Sequence, residues 1–378
     1  MSRVTETSPP RRPAIDFSNF DEGIRIQDDL FRHVNGSWLN KTEIPADKPV
    51  TGAFMELRDQ AEAAVRDIIT TLEPGEPGSD EARIADLYAS FMDEEAVEKA
   101  GADPILPLLT SIDALESVPD LTRLVGGFAR QAVAGLIALQ AEPDPGDPGR
   151  YVIFVGQGGL GLPDEEYYRL DEYADIRAQY VQHVAASFAL AGVEDAAAQA
   201  QQVFDLETEI AGTHWDKVKC RDLRLMYNLM TLDEFTATCP GLHWREFLAG
   251  GDIAESKMGE LVAMQPSFFA DVSVLLTEDR LPAWRAWARW KVINSLSPYL
   301  SSAFVNENFH FYGTVLSGTP ELRERWKRGV ALVEGSVGEA VGQIYVDQYF
   351  SATAKERMDQ LVANLIEAYR RSILILTG

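Results

Sequence analysis

Apolar residues recur at steps of three and four along most of this chain. From Phe54 they fall at Phe54, Leu57, Ala61, Val65, Ile68 and Leu72, which puts all six on one stripe of a helix and predicts that the stripe is buried. The run Glu73-Pro74-Gly75-Glu76-Pro77-Gly78 ends that pattern, and Ser79 or Asp80 then stands where it can cap a second helix through Ile84, Leu87, Tyr88 and Phe91. The same period returns over residues 173–190, 197–212, 281–296, 323–349 and 354–373. One stretch differs. Residues 132–140 and 151–155 are apolar and flank Pro143-Asp144-Pro145-Gly146-Asp147-Pro148-Gly149, which helix geometry cannot accommodate. The pattern therefore predicts a mainly α fold: a multi-helix lobe with one small β-hairpin at about 132–155. Residues 1–14 have the composition of a disordered tail, and no fixed-period repeat or low-complexity linker divides the remainder.

Charge and composition narrow the functional classes. With 34 Lys and Arg against 59 Asp and Glu, the formal charge is −25, and no cluster of basic residues would let the chain bind a polyphosphate, so no nucleic-acid partner is expected. A disordered acidic tail is excluded by the 46% of hydrophobic residues, which supply enough apolar surface to offset chain entropy. The first twenty residues are polar and carry Pro9, Pro10 and Pro13, unlike a signal peptide, and the apolar runs 132–139 and 151–155 fall well short of the roughly 20 residues that span a bilayer. No membrane segment is expected, and a cytoplasmic location is. Cys220 and Cys239 form no C-x-x-C pair and read as free thiols in a reducing compartment.

Candidate chemistry is sparse. Zinc hydrolases take two ligands three or four residues apart on one helix, because that spacing aims both side chains at one point. The histidines are His33, His183, His214, His243 and His310, too far apart for H-E-x-x-H in either direction, and each reads as packed or capping, with His214-Trp215 and His243-Trp244 as aromatic pairs. A metal held by scattered histidines would leave no such signal. Gly156-Gln157-Gly158-Gly159-Leu160-Gly161 spells G-x-G-x-x-G after an apparent strand, but Pro163 and the carboxylates of Asp164, Glu165 and Glu166 stand where a pyrophosphate would need free N–H groups. A structural turn with positive φ and close backbone approach is the reading adopted; nucleotide binding is the alternative.

Trp284, Trp287 and Trp290, with Arg285 and Arg289 between them, read as a core seam in preference to a peptide-binding or membrane stripe, the arginines pairing with carboxylates. Gly335, Gly338 and Gly342 suggest close helix packing, with a hinge as the sharper reading. Gly335-Ser336-Val337-Gly338 is one residue short of a nucleophile elbow and lies in a helical pattern. Spacing alone thus assigns no catalytic, cofactor-binding or metal residue.

The strings themselves resemble the N-terminal region of the neprilysin-like zinc metallopeptidases. Asp28-Asp29-Leu30-Phe31-Arg32-His33-Val34-Asn35-Gly36-Ser37-Trp38-Leu39, Ile44-Pro45 and Gly52-Ala53-Phe54 open the resemblance. Leu87 to Asp93, Gln157 to Asp164 with Tyr167-Tyr168, Glu207 to Trp215 with Tyr227 to Leu232, and Phe311-Tyr312-Gly313 through Arg325-Trp326 to Val341 and Val346 continue it in register. Together they cover nearly all of the chain from Asp28 to Ile373.

The resemblance implies a helical lobe that closes over a zinc-bearing lobe, encloses a chamber and admits short peptides. In that family the zinc, its H-E-x-x-H helix and the downstream E-x-x-x-D helix belong to the C-terminal part, and none of these motifs occurs here, so the chain itself is expected to need no cofactor and to be inactive alone. The implied organisation is a segment 15–53 that packs on the catalytic lobe, a substrate-gating lobe over 54–373, and a divergent end at 374–378, a chain truncated before the zinc site. Where some members hold a peptide carboxylate with an arginine, Val50 stands. Phe31, Val34, Trp38 and Leu39 would be exposed without the other lobe and are expected to drive self-association. A stand-alone peptide-binding or regulatory protein derived from this lobe is the second reading.

Overall fold

The computed structural model describes residues 15–73 and 75–377; the tail expected over 1–14 lies outside them. Helices dominate as the periodicity requires: α1 (Leu30–Lys41), α2 (Ala53–Thr71), α3 (Asp80–Met92), α4 (Glu94–Ala100), α5 (Leu106–Asp113), α6 (Val118–Gly127), α7 (Glu166–Arg169), α8 (Ala174–Leu190) and α9 (Ala196–Thr213). These are followed by α10 (Leu223–Met226), α11 (Leu232–Thr238), α12 (Trp244–Gly250), α13 (Pro266–Leu275), α14 (Leu281–Leu296), α15 (Ser302–Asn308), α16 (Arg325–Tyr349) and α17 (Ala352–Thr377). Local chemistry sets the starts. Ser79 caps α3 by accepting from the Ala82 N–H at 3.2 Å, with Asp80 and Glu81 complementing the helix dipole. At α11, Thr231 and Glu234 form a reciprocal capping box.

The sheet is larger than the expected hairpin. Strands β1 (Ile137–Asp144), β2 (Asp147–Gln157), β3 (Leu229–Thr231) and β4 (Glu260–Ala263) lie in the order β1-β2-β4-β3, with β1 antiparallel to β2, β4 parallel to β2, and β3 antiparallel to β4. The hairpin spans 137–157, not 132–155. Its first expected residues are diverted because Ala132, at φ 56°, closes a 3-10 turn over Phe128–Gln131. Strands of three and four residues are too short to show a period of two, which is why β3 and β4 went unforeseen.

The hairpin end is held by Asp144, whose Oδ1 accepts from Tyr227 Oη at 2.7 Å and Gly146 N at 2.8 Å, while Oδ2 takes Arg150 Nε at 2.8 Å. The Tyr227 hydroxyl, helped by the Gly146 N–H and Arg150, holds this carboxyl at about 2, below its ordinary 3.8. A folded pKa below the unfolded one gives stability that is complete above pH ~4 and lost as pH falls toward about 2. Tyr227→Phe removes the largest cause, so urea midpoints should fall less steeply over that window in the variant than in the parent; parallel curves would refute the assignment.

Two apolar cores organise the chain. The larger is built around α14, where Trp284, Trp287 and Trp290 are all fully buried, the core seam that their spacing predicts. Arg289 pairs with Asp113 at 2.5 Å as expected, but Arg285 donates to the carbonyl of Leu115 and not to a carboxylate. The smaller core joins α2, α3 and α16 through Val65, Ile69, Ile84, Val330, Val333 and Val341. Here the stripe on α2 is buried only in its second half: Phe54 is 83% and Leu57 55% exposed.

Gly335, Gly338 and Gly342 do not mediate close packing, since a Cβ on any of them would meet open space. The backbone instead breaks at Val337 (φ −134°, ψ 31°), a kink between Gly335 and Gly338. The close approach in this layer occurs at Gly329, where a Cβ would press on the rings of Tyr88 and Phe91. α17 runs as regular helix through Thr377, so residues 374–377 are helical.

Candidate functional site

The glycine turn at 156–161 is a polar hub inside the larger core. Gly159 adopts φ +97°, and a Cβ on Gly161 would collide with the Tyr180 hydroxyl, so the structural reading of this motif holds. Its carbonyls are taken one by one: Gly158 by His214 Nε2 at 2.9 Å, Gly159 by Trp287 Nε1 at 2.9 Å, Leu160 by Lys291 Nζ at 2.7 Å and Gly161 by Tyr312 Oη at 3.0 Å. The Tyr168 hydroxyl accepts from the Gly161 and Leu162 N–H groups at 3.1 and 3.0 Å. The Gln157 N–H donates to Gln265 Oε1 at 3.0 Å, so three N–H groups of the motif and the residue after it are engaged within the protein.

Behind the turn lies a buried carboxylate that the sequence analysis did not single out. Glu207 on α9 is fully buried, and its Oε2 accepts from Tyr168 and Tyr180, each at 2.7 Å, while Oε1 faces Lys291 Nζ at 3.8 Å. Trp290 Nε1 donates to the Tyr180 hydroxyl at 2.7 Å. Burial pushes Glu207 up, opposed first by the Lys291 charge, and pushes Lys291 down, opposed by Glu207. Both tyrosines are driven well above their ordinary 10.0, by burial and then by the Glu207 charge. This network fixes the shape of the turn. Its Tyr168 also lines a polar cleft of about 340 Å³.

The histidines are dispersed through the fold. His33 Nδ1 meets the Ile24 carbonyl at 2.6 Å, and His183 Nδ1 meets Glu307 Oε1 at 2.8 Å with the ring stacked on Phe311. Burial lowers the pKa of His183, with Glu307 opposing. The expected sequence-adjacent pairs do not form as aromatic contacts: His214 packs edge-on to Phe268, and Trp244 packs on Phe235 and Phe247, while His243 takes a left-handed backbone (φ 42°) ahead of α12. His214 also borders a polar cleft of about 340 Å³ with Glu165, Arg169, Thr208 and Asp216. Among the described residues, no three of His, Cys, Asp and Glu converge to hold a metal ion. The donor set therefore does not fit the zinc that the resemblance implies, and no chemical step is derived through one.

What the chain does present is apolar surface. On α1, Leu30 is 60% and Phe31 64% exposed, and Leu39 is exposed too, whereas Val34 and Trp38 are half-buried. Val50, Phe54 and Leu57 extend exposed apolar character to the start of α2. On α17 the pattern is extreme: Met358, Leu361, Val362, Leu365, Ile366, Tyr369 and Ile373 recur at helical spacing, and the helix has no buried residue. Such a stripe is what a helix carries when it packs on something.

The family model described as Peptidase family M13 matches residues 26–377. The chain belongs to peptidase family M13. Among M13 proteins, a neutral endopeptidase of Lactococcus lactis subsp. cremoris is 27% identical over 361 residues, which cover 92% of this chain and 56% of that protein. Human endothelin-converting enzyme-like 1 is 26% identical over 370 residues, 92% of this chain and 47% of its own. The zinc metalloprotease Zmp1 of Mycobacterium tuberculosis, in complex with an inhibitor, superposes with a TM-score of 0.90 at 43% identity, over 95% of this chain and 55% of that one. In its open state the score is 0.80, and in a partial open state 0.75, each over 93% of this chain. The neprilysin-like resemblance and the mainly α fold are thereby shown. This M13 chain spans about half the length of the curated relatives it matches.

Proposed function

We propose that this chain is the non-catalytic, substrate-gating helical part of a neprilysin-like zinc metalloendopeptidase that acts on short peptides. The observation that carries the reading is the coincidence of two facts: the match covers only about half of each relative, and α1, the start of α2 and α17 expose apolar stripes of the kind that pack on further structure. The helical part contributes walls. Its rigidity comes from the glycine-turn hub and the tryptophan seam, and size exclusion needs no reactive group. The zinc ligands and general base belong, in this reading, to the portion of the relatives that this chain does not match. No helix among the described residues is long and apolar enough to cross a membrane. A cytoplasmic location fits Cys220 and Cys239, which are free thiols, with burial raising Cys239 to about 11.

The test uses the chain alone. A quenched fluorescent peptide of about ten residues should remain uncut with and without added zinc, and light scattering should show concentration-dependent self-association through the exposed stripes. Zinc-dependent cleavage would overturn the non-catalytic assignment. A monodisperse monomer would overturn the claim that these stripes need covering and would favour a stand-alone binding protein.

A further inference from the structure

The polar cleft beside His214 is walled mainly by hydrogen-bond acceptors whose own donors are spent elsewhere. We infer that it takes an alkylammonium group, the lysine side chain of a short peptide. The inference rests on the reading of this chain as the part of an M13 protein that meets peptide substrates. At about 340 Å³ the cleft lies at the small end of the range for ligand sites, roughly 300–1,000 Å³, which suits a side chain and not a folded partner. It has room where a stem would enter: Gly212 lines it, and a Cβ built there would meet open space. Ala211 and Tyr168 supply carbon surface for methylene groups. The Tyr168 hydroxyl is already committed to Glu207 and to the Gly161 and Leu162 N–H groups.

His214 Nε2 faces the Gly158 carbonyl at 2.9 Å, and because a carbonyl only accepts, Nε2 carries the proton and Nδ1 keeps a lone pair. Burial lowers this histidine's pKa, opposed by the Gly158 bond and by the charges of Asp164 and Glu165, so the ring is neutral at any pH above about 6.5. Among the described residues Nδ1 has no hydrogen-bond partner. The Thr208 hydroxyl donates to the Phe204 carbonyl at 2.8 Å, which leaves its oxygen lone pairs. Asp216 Oδ1 accepts from the Val218 and Lys219 N–H groups, each at 2.9 Å, and these bonds, led by that of Lys219, hold the carboxyl below its ordinary 3.8. It is therefore charged, with Oδ2 left over. Arg169 is the cation on the wall, and buried Glu165 takes it bidentately, Nε at 2.6 Å and Nη2 at 3.0 Å. The lysines nearby are engaged as well, Lys217 with Glu166 at 2.5 Å and Lys219 over the Trp215 ring at 3.6 Å. An imidazole lone pair, a hydroxyl oxygen and a carboxylate oxygen call for several donors on one positive charge, which a primary ammonium supplies. A guanidinium fork matches less well, because it seeks both oxygens of a carboxylate and Asp216 has one to give.

The test reads binding by the whole chain and involves no cleavage, so its failure is distinct from failure of the gating reading, which would show as cleavage by the chain alone. The probes are an N-acetylated, C-amidated pentapeptide with a central lysine among glycines, the same peptide with that lysine Nε-acetylated, and n-butylammonium. Calorimetry gives the affinities, and the side-chain nitrogen resonances of His214 report the place. The lysine peptide should bind and move the Nδ1 resonance. Nε-acetylation, or Asp216→Asn in the protein, should weaken binding by about tenfold, the scale of a charge-assisted hydrogen bond. Asparagine can still accept from the Val218 and Lys219 N–H groups, which an unchanged urea midpoint would check, and the acetylated peptide makes the same comparison on the unaltered chain. Gly212→Leu, which fills the open space, should abolish binding. No binding at millimolar peptide, equal binding of the acetylated peptide, or binding unmoved by Gly212→Leu would overturn the site. Binding of n-butylammonium as tight as that of the peptide would overturn the peptide as the source of the amine.

Discussion

Glu207→Ala should destabilise the chain by about 3–5 kcal/mol, the cost of removing one partner from a buried ion pair. The physical reason is what the substitution leaves behind. Lys291 is 3% exposed and keeps the Leu160 carbonyl as its hydrogen-bond acceptor, but it loses the Glu207 carboxylate at 3.8 Å that offsets its desolvation. The Tyr168 and Tyr180 hydroxyls lose their shared acceptor at the same time. Tyr168 would still accept from the Gly161 and Leu162 N–H groups, so the turn loses tension on one side only. A second variant separates the pair's net contribution from the penalty of orphaning it. Combining Glu207→Leu with Lys291→Met removes both charges and should recover much of the loss, because a buried pair and its apolar replacement are often close in energy. Equilibrium urea unfolding of the three proteins is the measurement. A single-variant loss under about 1 kcal/mol would show that water reaches Lys291 and that the network is not dry.

Why this carboxylate escaped a reading of spacing while much of the fold did not is instructive. The long helices were legible because their burial repeats: Val203, Leu206 and Ile210 on α9, or the tryptophans of α14, mark one face each. Glu207 lies on that same buried face of α9, between Leu206 and Ile210, and a charged residue inside an apolar stripe was the available signal. In a chain with 59 acids that signal is drowned, since only the fold shows which acid lacks water. The glycine motif was readable as a turn because Pro163 and the acids after it forbid a phosphate, yet its partners come from α7, the residue after α9, α14 and the stretch after α15, most of them far apart in sequence.

The error on α2 has a different origin. Phe54 and Leu57 share the period of Val65 and Ile68, but periodicity reports a face that can be buried and says nothing of whether a neighbour is present to bury it. The same reasoning covers the three glycines of α16: small residues permit close approach, and here nothing approaches. The start of α2 is one of the surfaces that the functional reading leaves for the rest of an M13 protein, so its exposed apolar residues agree with that reading.

Trp287→Ala should cost about 3–5 kcal/mol, as expected for emptying a fully buried indole site. Two losses combine. The indole is packed in the seam, 5.4 Å from the Trp284 ring, and its removal opens a cavity that a rigid α14 cannot close. Its Nε1 also holds the Gly159 carbonyl at 2.9 Å, at the one residue of the turn with positive φ, so that carbonyl is left buried without a donor. Trp287→Phe divides the two contributions: it retains most of the apolar volume and removes only the donor, so it should cost about 1–3 kcal/mol, in the range for an unsatisfied buried acceptor. If the phenylalanine variant matched the parent in urea unfolding, the bond to Gly159 would contribute nothing, and the turn would be held by His214, Lys291, Tyr312 and Tyr168. If it matched the alanine variant, the hydrogen bond would dominate packing, and the seam would act mainly as a frame for the turn. The ordering expected from the geometry is parent, then Phe, then Ala, with the larger step at the second substitution, because more of the tryptophan's contact is with carbon than with the carbonyl.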